Sequence, residues 1–202
     1  LNKAVRAGVY GLPLQALGDN LPFADGYFAS AFSNSVLEHI PDIQPVLNEI
    51  GRVLRPGARF VITTPSHHFS EYLGGAAFFE SLRLRGLAER YRRAFNTISR
   101  HAHTDAPETW AARLAEAGFA VERWQYYFSR GALRALELGH AQGLPAAALH
   151  ALTERWLRPF YEEEAAPDSG AYILLIARKL PIGPVRPVLP PPQPFPVGSP
   201  QT

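Results

Sequence analysis

Asp19-Asn-Leu-Pro-Phe-Ala-Asp-Gly26, Phe28-Ala-Ser-Ala-Phe-Ser-Asn-Ser-Val-Leu-Glu-His-Ile40 and Leu54-Arg-Pro-Gly-Ala-Arg-Phe-Val-Ile-Thr-Thr-Pro65 make up the stretch that decides the fold. Phe28 to Ser33 is short and apolar with no helical spacing, which predicts a buried parallel strand. Ile43, Val46, Leu47, Ile50, Val53 and Leu54 then recur at steps of three and four, the spacing of an amphipathic helix. Asp42 is placed to cap it, and Pro56-Gly57 to stop it. Arg59 to Thr64 reads as a second buried strand ended by Pro65. Strand, helix, strand implies a parallel pair with a right-handed crossover. Asn34, Ser35, Glu38 and His39 then lie just past the C-terminal end of a strand, where open α/β sheets bind ligands.

Working outward, Gly11 to Leu17 is a short apolar run that predicts a strand, and Leu21-Pro22-Phe23 with Asp25-Gly26 predicts a turn. Residues 66–104 break the alternation, and Glu71 to Asn96 predicts one or two helices inserted as a lid. A further helix starts near Thr104-Asp105, carries Pro107 in its first turn and ends at Gly118. Ala120 to Phe128 predicts a strand, Gly131 to Gly143 and Ala146 to Glu164 helices, the second interrupted at Pro159, and Gly170 to Lys179 a final strand. One domain over residues 1–180 and a Pro-rich disordered tail over 181–202 are expected.

The 202 residues are 47% hydrophobic and 19% charged, enough apolar material for a core. A net charge of +2 gives no ground for a nucleic-acid partner. No apolar run approaches the ~20 residues that cross a bilayer, and a cytoplasmic location is expected. The absence of cysteine excludes disulfides and thiolate metal sites. The alternate spacing of His101 and His103 comes without a carboxylate cluster, so no metal site is expected. Arg83, Arg85, Arg90, Arg92, Arg93 and Arg100 make the insertion basic, either as a solvated helix face or as a lid that attracts an anionic substrate. Phe78, Phe79, Tyr91 and Phe95 read as lid core or as an acceptor pocket, and His67-His68 follows a strand end.

Taken in order, Leu21-Pro-Phe-x-Asp-Gly-x-Phe28, Ser33-Asn-Ser-Val-Leu-Glu-His-Ile40, Leu54-Arg-Pro-Gly-x-x-Phe-Val-Ile-Thr-Thr-Pro65 and Ala115-Glu-Ala-Gly-Phe-x-Val-Glu122 resemble the class I S-adenosylmethionine-dependent methyltransferases, type 11-like, over most of residues 15–180. The resemblance implies a Rossmann-like α/β fold with sheet order 3-2-1-4-5-7-6, in which Phe28 to Ser33 is strand 4. The family's glycine-rich cofactor loop has no counterpart before Asp19, so an N-terminally truncated fold, without strands 1 and 2, is expected. Its free edge offers a surface for pairing with another chain.

S-adenosylmethionine is the cofactor the resemblance implies for the complete enzyme, with a small molecule as methyl acceptor. The adenine side falls to Asp19, Asn20 and Leu21, although Leu17 stands where an acid is usual. The methionine end falls to Ser33, Asn34, Ser35 and Glu38, and Ala29 replaces a second usual acid. His39 and His103 are the candidate bases. These residues alone are expected to bind the cofactor no more tightly than millimolar and to be inactive. A non-catalytic remnant that serves as an interaction module is the alternative reading.

Overall fold

β1 (Phe28–Asn34), β2 (Leu54–Pro65), β3 (Phe119–Tyr127) and β4 (Tyr172–Lys179) form one mixed sheet in the order β1-β2-β4-β3. β1 and β2 run parallel, and β4 is antiparallel to both its neighbours. This is the 4-5-7-6 portion of the order that the resemblance implies, with the last strand inserted between its predecessors. The computed structural model of the chain describes residues 6, 8, 11, 13–141, 166–181 and 186–194. The helix expected over 146–164 lies outside them.

Helix α1 (Gln44–Val53) crosses from β1 to β2, and α4 (Pro107–Glu116) packs beside it. Leu47, Leu54, Phe60, Ile62, Trp110, Leu114, Phe119 and Leu175 bury the core between helices and sheet. The apolar stripe of α1 was readable, but its ends differ from the expectation. Ile43 occupies the N-cap with no side-chain cap bond, so Asp42 does not cap the helix. The helix gives way to β2 at Leu54, ahead of Pro56, because the strand gains buried positions for Leu54 and Ala58.

The lid is α2 (Gly74–Ser81) and α3 (Arg85–Ser99). It has its own apolar cluster, in which Phe69, Leu73, Ala76 and Ala88 meet Leu133 of α5 (Arg130–Ala141). Phe79, Tyr91 and Phe95 pack onto this cluster, whereas Phe78 is exposed. No helix among the described residues is long and apolar enough to cross a membrane.

The two sheet edges differ. β1 was expected to be a buried strand, yet among the described residues nothing pairs with its outer side, and Phe32 is 68% exposed. Residues 13–17 form no strand; Leu17 makes only an isolated bridge to Asn20. On the other edge, the Pro-rich segment is extended over 186–194 and held against β3. The Trp124 indole donates to Pro190 O, Gln193 N donates to Trp124 O, and Leu189 packs on the core. One backbone carbonyl of that edge, Trp124 O, is thereby satisfied by the tail.

Candidate active site at the strand ends

β1 pairs with β2 so that Asn34 stands opposite Thr63, and β4 brings Tyr172 opposite both Pro65 and Tyr127. The C-terminal ends of three strands and the start of the fourth therefore meet at one rim. Thr63 Oγ1 donates to Asn34 Oδ1, and the Tyr127 phenol also meets Thr63. Burial pushes the hydroxyls of Tyr127 and Tyr172 above the usual range, reinforced by neighbouring negative charge. Ser35 leaves the strand with φ 50°, a left-handed conformation that disfavours a residue with a Cβ, and its N–H donates to Thr63 O.

The chain then makes a 3-10 turn over Leu37–His39, which points Glu38 inward. Glu38 is 1% exposed, and Oε2 is buried without a hydrogen-bond partner. Burial is the main reason its pKa lies above the ordinary carboxylate value; its own backbone and His39 pull the other way. His39 stands beside it, with Nε2 3.9 Å from Glu38 Oε1. Its Nδ1 lies 3.1 Å from Arg100 O. A carbonyl can only accept, so this contact fixes the proton on Nδ1 and leaves the Nε2 lone pair free.

The lid closes over this turn through Glu38 itself, whose carbonyl accepts from Ala102 N and His103 N. His101 sits under the lid, 4.9 Å from the Phe69 ring and 5.5 Å from His39. Burial, then the charge of His39, depresses its pKa to about 4, which keeps it neutral. His103 has both ring nitrogens engaged: Nε2 lies 3.0 Å from Ile40 O, and Nδ1 lies 3.3 Å from Asp105. In this arrangement it clamps two loops together. His67 and His68 stack on each other near Tyr126.

The residues expected on the adenine side are elsewhere. Asp19 and Asn20 are exposed in a turn, and Leu21 N donates to Glu49 of α1. Arg52, one turn further along α1, binds Leu21 O, Phe23 O and Asp25. Since α1 runs opposite to the strands, Leu21 is tied toward their N-terminal ends, away from the rim. Arg52 and the Leu21 N–H together hold the Glu49 carboxyl down at about 2.

The burial of Glu38 has a consequence for stability. A carboxyl with a raised pKa binds its proton more tightly folded than unfolded. The cost of burying it ionised is present at neutral pH and disappears as pH falls through its folded pKa. Glu38→Gln is therefore expected to be at least as stable as the native chain at about pH 7, with the difference vanishing near pH 4. Thermal melts across that window check it. A variant that is uniformly less stable would show that the carboxylate is needed for folding.

A parallel β-α-β start, an antiparallel final strand inserted next to last, and a polar rim at the strand ends define the class I Rossmann-like methyltransferase architecture. Residues 2–62 match the family model described as Methyltransferase domain. It is 39% identical over 79 residues to an uncharacterized methyltransferase of Mycobacterium sp. (strain KMS), covering 35% of this chain and 31% of that protein. It is 31% identical over 135 residues to the ubiquinone/menaquinone biosynthesis C-methyltransferase UbiE of Vibrio parahaemolyticus, covering 63% of this chain and 50% of that protein. The chain thus spans from a third to a half of the length of these relatives. In fold it is similar to a Thermotoga maritima methyltransferase described as a possible histamine N-methyltransferase, with TM-score 0.52 and 18% identity over 88% of this chain and 68% of the other.

Proposed function

We propose that the rim formed by Ser33, Asn34, Ser35 and Glu38 holds the methionine end of S-adenosylmethionine, and that His39 serves a methyl transfer to a small organic acceptor. The observation that carries this reading is the buried, unbonded oxygen of Glu38 beside an imidazole whose tautomer is fixed. A desolvated carboxylate without a partner is unfavourable by itself and favourable once a cation reaches it. The methionine end of the cofactor is cationic, so the residues present fit it.

When bound, S-adenosylmethionine supplies a methyl group on a positively charged sulfur. Displacement at such a carbon needs alignment more than covalent help from the protein. Asn34 is held by Thr63, and Ser35 by Thr63 O, so the rim is rigid before any ligand arrives. His39 Nε2 can accept the proton that an acceptor C–H, N–H or O–H loses as the new bond to carbon forms. Glu38, 3.9 Å away, then stabilises the imidazolium. A small acceptor is supported by the relatives' names, a quinone-pathway C-methyltransferase and a sterol methyltransferase-like protein of Botryococcus braunii.

The test follows a labelled methyl group from S-adenosylmethionine into low-molecular-weight acceptors in a form of the protein that transfers methyl groups, with His39→Ala as the diagnostic variant. Label recovered only in macromolecules would contradict the acceptor class. The alternative, a non-catalytic module pairing through β1, draws on the exposed Phe32 but gives no role to a buried carboxylate beside an oriented imidazole.

A further inference from the structure

Helix α3 presents Arg93, Asn96, Thr97 and Arg100 at intervals of three, four and seven, the spacing that puts side chains on one helix face. All four line an open cavity of about 630 Å³ whose far wall includes His39 and His101. The cavity therefore adjoins the proposed methyl-transfer rim. No carboxylate is among its lining residues.

The arginines of this helix divide into two kinds. Arg92 is paired with Glu80 and Glu89 and also donates to Ser70 O, so its charge is spent on holding the lid together. Arg93 and Arg100 have no carboxylate partner among the described residues, and both are exposed. A helix face that merely faced solvent would give no reason for two uncompensated guanidinium groups to line one concavity.

Arg100 carries a second sign. It ends α3 with φ 55°, and the bonds Arg100 N to Thr97 O and His101 N to Asn96 O complete a Schellman motif. Glycine is the residue that fits this left-handed position without strain. Arginine there strains the backbone and directs a cation at the mouth of the site.

We propose that Arg93 and Arg100 bind an oxyanion group of the methyl acceptor, a phosphate or a carboxylate, and so fix the acceptor beside His39, while Asn96 donates to Ser70 and Thr97 to Arg93 O within the same wall. Two guanidinium forks supply charge-assisted donors in the planar geometry that such oxyanions accept. Calling the anion part of the acceptor rests on the methyltransferase reading; the anion site itself does not.

The 202-residue chain is titrated with sodium phosphate and, separately, with succinate at constant ionic strength. The imidazole signals of His39 and His101, both in the cavity wall, are followed by NMR. Saturable shifts are expected with at least one anion, and which one responds distinguishes phosphate from carboxylate. Arg93→Gln/Arg100→Gln should weaken the response at least about 10-fold, whereas Arg55→Gln/Arg83→Gln, with the same loss of charge away from the cavity, should leave it unchanged. Arg100→Gly should raise the melting temperature while weakening anion binding, a combination that a purely structural cap would not give. Shifts that stay linear, or equal weakening in the two double variants, would overturn the proposal. S-adenosylmethionine added to the same samples separates the readings. Failure of its binding alone at about 10 mM removes the assignment of the rim as the cofactor site, and failure of the anion response alone removes this one.

Discussion

Gly75→Ala is expected to destabilise the lid by about 3 kcal/mol, the upper end for overpacking a filled interior. A Cβ on Gly75 would sit 2.4 Å from Tyr91 Cζ and 2.8 Å from each adjacent ring carbon. An unrestrained ring could swing away, but Tyr91 is pinned. Its hydroxyl donates to Glu137 Oε1, and the same carboxylate accepts from Gly74 N and Gly75 N at the start of α2. Glu137 is buried on α5, so moving the ring would leave a buried anion short of a donor. Chemical denaturation measures the loss. Tyr91→Ala clears the space, so Gly75→Ala in that background should be close to neutral, a coupling that a double-mutant cycle reads directly. A loss below about 1 kcal/mol in the native background would show that α2 can shift away from α3.

His39→Ala is expected to lower turnover about 100-fold, or about 2.7 kcal/mol of activation free energy, in a form of the protein that transfers methyl groups. The imidazole is oriented by Arg100 O through Nδ1, and its other nitrogen is free at the cavity. Removing it deletes proton acceptance and leaves Asn34, Ser35 and Glu38 in place. The Michaelis constant should therefore change far less than kcat. Added imidazole should restore part of the rate. Kinetics unchanged by the substitution would take His39 out of the reaction.

The sequence and the structure agree where one periodicity settles the matter. Apolar runs at Phe28–Ser33 and Arg59–Thr64 around an amphipathic helix were enough to place β1, β2 and their crossover, and hence Asn34 to His39 at a strand end. Positions that depend on contacts between distant segments were not legible. Pro56-Gly57 resembles a helix stop, but pairing with β1 extends β2 back to Leu54. The burial of Glu137 on α5 is explained only by the N-terminus of α2, about sixty residues earlier, whose Gly74 and Gly75 N–H groups it accepts from.

Within the site, the motif pointed to Glu38 and His39 but could not show that a 3-10 turn buries the first and exposes the second. His103 looked equivalent to His39 in sequence, and only the fold shows that its ring lies against two carbonyls and Asp105. The spacing of Arg93, Asn96, Thr97 and Arg100 was open to view throughout. What distinguishes it from an ordinary basic face is the cavity opposite and the pairing of Arg92 with other residues.

The most direct test of the central claim maps where S-adenosylmethionine touches the 202-residue chain by amide chemical-shift perturbation, with cofactor raised to about 10 mM to reach binding in the millimolar range. Saturable shifts are predicted at Ser33 to His39 and at the facing end of β2, Thr63 to Ser66, reduced in Glu38→Gln. No perturbation at that concentration, or shifts confined to residues away from this rim, would contradict the assignment of the strand ends as the methyl-donor site.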